Sequence, residues 1–388
     1  RGKLKSNSMT YKNYSILLVL LITLTLIFIG FISYISDPSI FYGANERDNY
    51  YAGRLIESNN GLVFQDSKID MRDVKFDLAK KVKDSDCAVL GSSHALQISS
   101  IMNSGKSLVS QCNAIVNLSM PGATIEDFLA ISQVLIENPT APKKIIFTIS
   151  PLHLGLVSPS KSMWLRYKSY VDKMKNKLSY PVGEENVFFR YFTSLINPEY
   201  FMRALDIIRS SDLEIIEAPV FDHSMGLSKS VMLPDGSLVY SNKYVKMKAN
   251  TPVEKPVELQ WNSRGSGKNS DNFLAMGANG INIHASGKYY SKEIVNLFSD
   301  LIYFLQSNGF HIYILMTPIH PNFWDVKKSA AISSSIQAEG VIRSLEKSGN
   351  IGVLGSYNPT DVGCLGVEFY DSHHLHASCL SKIGADQY

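Results

Sequence analysis

The stretch from Asn13 to Ser36 contains no charged residue and is centred on SILLVLLITLTLIFIGFISYI. A helix needs about 20 apolar residues to cross the roughly 30 Å hydrocarbon core of a bilayer, so this segment is long enough to span a membrane. A cleaved signal peptide has a shorter apolar region that ends at a small-residue cleavage site, whereas SYISDP follows here. We therefore predict an uncleaved transmembrane helix over 13–36 and not a buried core helix.

The charges on either side of this segment predict its orientation. Four basic residues precede it, and acidic residues follow it: Arg1, Lys3, Lys5 and Lys12, then Asp37 and Glu46. Positively charged flanks stay on the cytoplasmic side of a membrane. We expect residues 1–12 in the cytoplasm and the rest of the chain in the periplasm or extracytoplasmic space. The protein would then be a single-pass protein of the bacterial inner (cytoplasmic) membrane.

The composition indicates a folded domain without affinity for polyanions. The chain has 388 residues, of which 45% are hydrophobic and 19% charged. Both values are typical of globular proteins. The net charge is only +3, which is too small to indicate a nucleic-acid partner, so none is expected.

The four cysteines agree with export. Cys87, Cys112, Cys364 and Cys379 form an even set, which favours disulfides outside the cytoplasm and allows three connectivities. Cys87 and Cys112 each open a predicted strand, and Cys364 and Cys379 bracket a short loop. We favour the local pairs 87–112 and 364–379. No C-x-x-C spacing exists that would favour zinc.

Beyond residue 84, short apolar stretches alternate with helical patterns. The predicted strands are CAVLG (87–91), AIVNLS (114–119), KKIIFTIS (143–150), HIYILM (311–316) and IGVLGSY (351–357). The predicted helices begin at ALQISSIM (95–102) and continue at 125–138, 288–309 and 329–348, with an earlier one at 68–83. This alternation predicts an α/β fold of three layers, flavodoxin-like, in which a parallel sheet has helices on both faces.

The pattern breaks between about 155 and 285. VMLPDGSLVYS (231–241) predicts a β-hairpin, and the basic and aromatic segment 161–180 predicts a solvated helix face or, alternatively, a contact with anionic lipid or polysaccharide. We interpret 155–285 as a cap inserted into a domain that spans 85–388, with 37–84 as a connecting region.

Polar residues follow the predicted strands at the edge where open α/β sheets bind ligands. Gly91-Ser92-Ser93-His94 ends the first strand, and Asp371-Ser372-His373-His374 follows the last one. A serine nucleophile needs a base within hydrogen-bond reach and a carboxylate that orients the base. Ser93, His374 and Asp371 supply these three groups. Gly122 and the Ser93 amide could donate to an oxyanion.

These residues resemble the blocks of the SGNH (GDSL-like) hydrolase superfamily. Gly91-Ser92-Ser93 matches the first block with Ser93 as nucleophile, Gly122 matches the oxyanion glycine, and the D-x-x-H block has Asp371 orienting and His374 as base. The superfamily's third block supplies an oxyanion asparagine. Ser150 stands there instead, and losing one oxyanion donor costs about 10²–10³ in rate.

The resemblance also implies a function. One N-terminal anchor before an SGNH-like domain is similar to membrane-anchored polysaccharide O-acetylation proteins and teichoic-acid D-alanine-transfer proteins. It implies acyl transfer through acyl-Ser93, a polysaccharide or carbohydrate acceptor, a membrane-bound O-acyltransferase partner and no cofactor. A carbohydrate acetyl esterase and a non-catalytic carbohydrate-binding subunit are the alternatives.

Other histidines have weaker claims to a role. His94 and His320 are candidates for lining the substrate pocket, and His153 has less to recommend it. The H-H-x-H run that ends at His376 is better explained by the triad and its neighbours than by a metal site.

Overall fold

The computed structural model describes twelve stretches of the chain. They are residues 11–36, 47–63, 71–102, 112–155, 167–182, 192–193, 195–209, 230–240, 291–324, 330–349, 351–369 and 374–383. Most of the predicted cap, 155–285, therefore lies outside the described residues.

Ten α-helices occur in the described part of the chain. In order they are α1 (Tyr11–Ser36), α2 (Arg47–Glu57), α3 (Met71–Lys81), α4 (Ile125–Glu137), α5 (Lys168–Lys177), α6 (Pro198–Arg209), α7 (Lys292–Ser307), α8 (Pro321–Trp324), α9 (Ala330–Gly349) and α10 (Ala377–Lys382). Short 3-10 turns occur at Ser93–Ala95, Pro151–Leu154 and Gly366–Glu368. The α4 helix begins with a capping box in which Thr124 and Asp127 satisfy each other's backbone amides.

In the described residues, eight strands form two sheets. They are β1 (Leu62–Val63), β2 (Cys87–Leu90), β3 (Ile115–Asn117), β4 (Lys144–Ile149), β5 (Val231–Met232), β6 (Leu238–Val239), β7 (His311–Met316) and β8 (Gly352–Gly355). The main sheet is parallel with the order β3-β2-β4-β7-β8, and the small antiparallel sheet has the order β1-β5-β6. The strand order of the main sheet is that of flavodoxin-like doubly wound proteins, which bind ligands where the order reverses.

The two faces of the main sheet are covered differently. Alternate residues along β2 point to opposite sides: Ala88 and Leu90 join the larger core, with the long helices α4, α7 and α9, while Val89 joins the smaller core, with α10. Right-handed crossovers explain the two different covers. The connection from β2 to β3 runs across the sheet in the opposite direction from the later connections, so a right-handed crossover places it on the other face. In the described residues of this first connection, 91–102 and 112–114, the helical structure is the 3-10 turn at Ser93–Ala95.

The strand and helix predictions are confirmed with one exception. The five strands, the long helices and the hairpin lie within a few residues of their predicted positions. The helix predicted to begin at 95–102 was wrong: the described residues there form the end of the 3-10 turn and further turns. The buried Asn117 side chain explains why, because its amide donates to Ala95 O (2.7 Å) and Ile98 O (2.8 Å), carbonyls that a continuing helix would use internally.

Both predicted disulfides are present. Cys87 pairs with Cys112 across a Cα–Cα distance of 5.7 Å, and Cys364 pairs with Cys379 across 5.3 Å. The first joins the starts of two neighbouring strands, and the second ties the segment after β8 to α10. Together with α1, whose stretch Asn13–Ser36 is long and apolar enough to cross a membrane, they are compatible with a single-pass protein whose folded domain is extracytoplasmic.

The chain divides into two compact units. One contains residues 1–46 and 183–214, and within it α6 packs against α1, where Ser33 near the end of α1 is fully buried. The other contains residues 47–182 and 215–388 and holds both sheets. The α2 and α3 helices belong to this second unit, and their apolar residues Leu55 and Val74 join its larger core.

Candidate active site

The nucleophile candidate lies at the carboxyl end of β2, beside the point where the strand order reverses. Gly91 and Ser92 leave the strand, and Ser93 opens the 3-10 turn, whose first hydrogen bond runs from Ala95 N to Ser92 O (3.1 Å). Ser93 is partly exposed while Ser92 and Ala95 on either side are buried. The turn therefore presents one hydroxyl to solvent from a firmly packed base.

Gly91 is required by the space available beneath this turn. A Cβ at Gly91 would lie 2.8 Å from Thr148 Cβ and 2.9 Å from Ala95 Cβ, both attached to fixed backbone. Gly91 also accepts a hydrogen bond at its carbonyl from Met120 N (2.9 Å), which ties the end of β2 to the loop after β3. The glycine thus allows three strand ends to approach one another at the candidate site.

We expect Gly91→Ala to destabilise the protein by about 1–3 kcal/mol, because neither neighbouring Cβ can move without shifting its strand or turn. Thermal unfolding of the purified protein measures this loss. Gly340→Ala on α9 is a suitable control, because nothing lies within 4 Å of a Cβ at that position. Equal stability of the two variants would contradict the packing argument.

The structure brings Ser93 and His374 into direct contact. His374 Nε2 lies 2.8 Å from Ser93 Oγ, although the residues are 281 positions apart. This is the separation expected between a serine nucleophile and its general base. His374 is buried (9% exposed), so its ring is held against the serine and is not free to swing into solvent.

Backbone and side-chain hydrogen bonds hold the segment that carries His374. Leu375 forms an antiparallel bridge with Phe369, His376 N donates to Glu368 O (2.8 Å), and Gln97 Nε2 donates to Leu375 O (2.9 Å). The last contact joins this segment to the chain just after Ser93. The disulfide between Cys364 and Cys379 closes the loop around it.

Asp371 lies outside the described residues, as does His373. Its predicted role in orienting His374 therefore stays a prediction.

A second imidazole lies beside that of His374. The ring of His94 packs edge-on to the ring of His374 with 5.3 Å between centroids, and His94 Nδ1 lies 3.2 Å from Thr317 Oγ1 at the end of β7. His94 is half-buried, so part of its ring lines the surface next to Ser93. His320 is almost fully buried (1% exposed), with its ring 5.1 Å from that of Phe369. His320 therefore does not lie at the surface.

Gly122 occupies the tip of a tight turn. Ala123 N donates to Met120 O (3.2 Å), so Met120-Pro121-Gly122-Ala123 is a hydrogen-bonded β-turn, and Gly122 has φ of +60°. Turns with proline second and a positive φ third favour glycine at that third position. Among the described residues, no backbone hydrogen bond uses the Gly122 N–H, which leaves this group as a donor at an exposed position.

Ser150, at the end of β4, is engaged by a histidine that sequence reasoning ranked low. Its backbone N–H donates to His153 Nδ1 (2.9 Å), and its Oγ lies 3.4 Å from the same nitrogen. Burial lowers the pKa of His153 to about 4, so the ring is neutral at physiological pH. Because the Ser150 N–H already donates to His153 Nδ1, only the Ser150 hydroxyl remains as a candidate third donor to an oxyanion.

Asn117 is a second residue whose importance the sequence did not reveal. Besides holding the residues after the nucleophile turn, its side-chain oxygen accepts from Ser119 N (2.9 Å), and its backbone N–H donates to Asp235 O (2.6 Å) at the tip of the hairpin. One fully buried amide thus fixes the exit of the Ser93 turn and the start of the loop that leads to Gly122.

The fold and the described contacts define an α/β protein with a parallel five-stranded sheet, one N-terminal apolar helix and a Ser–His pair at its carboxyl edge. The sequence matches no protein-family model and no curated protein.

Proposed function

We propose that the protein is a membrane-anchored, exported serine acyltransferase of the SGNH type that transfers an acyl group, in the first place acetyl, to an envelope or secreted polysaccharide. The observation that carries the proposal is the 2.8 Å contact between His374 Nε2 and Ser93 Oγ at the carboxyl edge of a doubly wound sheet. An ordinary turn serine would not require a buried imidazole brought from the far end of the chain.

The first half-reaction would form an acyl-enzyme. His374 accepts the Ser93 proton while Ser93 Oγ attacks the donor's acyl carbonyl, forming the new C–O bond of a tetrahedral intermediate. His374 then protonates the leaving oxygen as the original acyl–oxygen bond breaks. Asp371 is proposed to orient the imidazole and stabilise its protonated form.

The second half-reaction would return the enzyme to its starting state. An acceptor hydroxyl gives its proton to His374 and attacks the acyl-Ser93 carbonyl, and the serine oxygen leaves with that proton. With a sugar hydroxyl the result is transfer, and with water it is hydrolysis. The same residues therefore serve a transferase and an esterase, which differ in what reaches the acyl-enzyme.

The oxyanion in both steps would be stabilised by backbone donors. The Ser93 and Gly122 amides supply two of them, and the Ser150 hydroxyl is the candidate third donor in place of the superfamily's asparagine. Gly122 suits this role because its N–H takes no part in the hydrogen bond that closes its turn.

The anchor favours transfer over hydrolysis. The apolar helix would keep the domain at the membrane surface, where a membrane-bound O-acyltransferase could deliver the acyl group from the cytoplasm. A secreted esterase has no comparable need for an anchor. The esterase remains the second candidate, and a non-catalytic carbohydrate-binding subunit the third.

The test uses the full-length protein purified in detergent with its disulfides intact. We expect incubation with a chromogenic acetyl ester to release the chromophore and to add one acetyl group to the protein by intact mass, with neither effect in Ser93→Ala. Ser92→Ala is the matched control, since that neighbouring serine is buried and it is the Ser93 hydroxyl that contacts His374.

Two further results would separate the candidates. If added oligosaccharide becomes acetylated at the expense of hydrolysis, the protein is a transferase, whereas release to water alone supports the esterase. If folded wild-type protein neither hydrolyses the ester nor reacts with a fluorophosphonate, both enzyme functions are ruled out and the binding subunit is the remaining candidate.

A further inference from the structure

We propose that Gln97 is a positioning residue that keeps His374 in place after Ser93 has been acylated, when the hydrogen bond between Ser93 and His374 is lost. The inference rests on the proposed acyl transfer at Ser93. It gives the second half-reaction a support for its base that does not depend on the nucleophile. The observation that carries it is the hydrogen bond from Gln97 Nε2 to Leu375 O (2.9 Å).

Two side-chain hydrogen bonds run between the nucleophile turn and the segment that carries the base. One joins Ser93 Oγ and His374 Nε2 (2.8 Å), and the other is the bond from Gln97 to Leu375. They engage two adjacent residues of the base segment. Consecutive Cα atoms lie about 3.8 Å apart across a trans peptide, so a shift of Leu375 is passed on to His374.

The backbone on both sides of Gln97 is firmly held. Leu238 N donates to Leu96 O (2.7 Å), and Asn117 Nδ2 donates to Ile98 O (2.8 Å). These partners belong to two different strands, β6 and β3, and the Asn117 side chain is fully buried. The side chain of Gln97 therefore extends towards the base segment from a fixed point.

The other contacts of Leu375 are of a different kind. Its side chain is buried (1% exposed) in the smaller core together with Ala95 and Ile98, and its backbone forms the bridge to Phe369. Apolar packing follows the buried area and has no preferred direction. The bridge joins Leu375 to a neighbour in the same loop. The hydrogen bond from Gln97 is thus a directional contact that ties this loop to the nucleophile turn.

The reaction removes the Ser93–His374 hydrogen bond but not the one from Gln97. In the acyl-enzyme, Ser93 Oγ carries the acyl group and has no proton to donate. An acceptor hydroxyl then gives its proton to His374 while its oxygen bonds to the acyl carbon, the bond from that carbon to Ser93 Oγ breaks, and Oγ takes the proton back. His374 must hold its position in this step without help from Ser93, and a misplacement of about 1 Å can cost about 10² in rate.

The experiment compares variants of the full-length protein, purified in detergent with its disulfides intact, with a chromogenic acetyl ester as substrate. Gln97→Met retains the length of the side chain without a donor, and Gln97→Glu retains its shape but places an oxygen where the donor was. Gln306→Met is the matched control. Gln306 is also half-buried, and its Nε2 donates to a backbone carbonyl, Gly349 O (2.6 Å), where α7 and α9 end.

The burst of chromophore in the first turnover measures acylation of Ser93, and the slower steady release measures deacylation. We expect both Gln97 variants to slow deacylation by about tenfold to a hundredfold and acylation by less than about threefold. The acetyl-enzyme should persist longer by the same factor when it is followed by intact mass after the ester is removed, and KM for the ester should fall together with kcat. Gln306→Met should match wild type in both phases.

The outcomes separate this inference from the proposed function. Wild-type protein without Ser93-dependent turnover defeats both, because no acyl-enzyme then forms. Active wild type with an unchanged acetyl-enzyme lifetime in the Gln97 variants overturns the positioning role alone. Equal slowing of both phases, or a loss shared with Gln306→Met and accompanied by an equal fall in Tm, also overturns it, because general destabilisation would explain the result.

Discussion

His374→Ala should reduce kcat/KM for an activated acetyl ester by about 10²–10⁴, the contribution usual for a positioned general base. The reason is the 2.8 Å contact to Ser93 Oγ, since a serine hydroxyl without a proton acceptor is a poor nucleophile. Steady-state kinetics over a range of ester concentrations measure the loss. Added imidazole should restore part of the rate if the alanine leaves room for it.

Two controls make this prediction specific. His311→Ala removes a histidine from the exposed start of β7, at the opposite edge of the sheet, and should leave kcat/KM unchanged. The double variant Ser93→Ala/His374→Ala should be no slower than the slower single variant, because groups that act as one unit lose their effect together. Additive losses, or full activity of His374→Ala, would show that the two side chains do not form a nucleophile–base pair.

The contact between Ser93 and His374 could be predicted from the sequence because its parts belong to local patterns. A short apolar strand ending in Gly-Ser-Ser predicts a turn at the carboxyl edge of the sheet, and a D-x-x-H run after the last strand predicts a histidine at the same edge. The topology rule that parallel strands end at one edge then brings Ser93 and His374 together, although 281 residues separate them. Neither step needs knowledge of side-chain packing.

The residues that support the pair could not be predicted in this way. His153 follows a strand by three residues like many loop histidines, and only the structure shows that its Nδ1 accepts from Ser150 N (2.9 Å) and that its ring packs on Phe128 of α4. Asn117 was visible as a strand-end residue, but its amide meets carbonyls of a turn whose helix the sequence mispredicted. Such contacts depend on exact spacing between elements, which hydrophobic periodicity does not encode.

The α3 helix is a stronger example of contacts that the sequence does not predict. The sequence MRDVKFDLA carries four charged residues, which is typical of a helix with a solvated face, yet all nine residues are buried. Each charge is accommodated by a separate partner: Arg72 by Asp127, Asp73 by the Tyr167 hydroxyl, Asp77 by Lys80 and Lys75 by backbone carbonyls. The partners of Arg72, Asp73 and Lys75 come from distant parts of the chain, so composition alone points the wrong way.

Lys75 is the most consequential of these buried charges. Its ammonium group is fully buried beneath the hairpin, where Nζ donates to Asn117 O (2.6 Å) and to Gly236 O. Burial lowers the pKa of Lys75 to about 7, although the nearby Asp235 carboxylate acts in the opposite direction. A neutral amine has two N–H donors, which matches the two carbonyls.

We therefore expect the stability of the protein to rise between about pH 7 and pH 9 at up to about 1 kcal/mol per pH unit. The pKa of Lys75 is about 7 in the folded state and near 10.5 when the chain unfolds. Between these values the unfolded state binds the proton and the folded state does not, so raising the pH favours folding. Below pH 7 both states are protonated, and the dependence on this group disappears.

Chemical denaturation at several pH values in this range, on wild type and Lys75→Met, measures the effect. The methionine fills similar space without titrating, so its stability should change less with pH. It leaves two buried carbonyls without their donor, at a cost of about 1–3 kcal/mol each. The variant should thus be clearly less stable than wild type at pH 9, and the gap should narrow towards pH 6, where wild type must bury a charge.

Lys80→Met is the matched control, because Lys80 lies on the same helix but is 43% exposed beside Asp77. It should keep the full pH dependence of wild type. The pH range stops near 9 because burial raises the pKa of Tyr357 well above its usual 10, and such a group would make stability fall again at higher pH. A wild-type profile parallel to that of Lys75→Met would mean that Lys75 is not forced to give up its proton on folding. In that case the hairpin would rest on a charged lysine, held by Asp235 more strongly than burial opposes it.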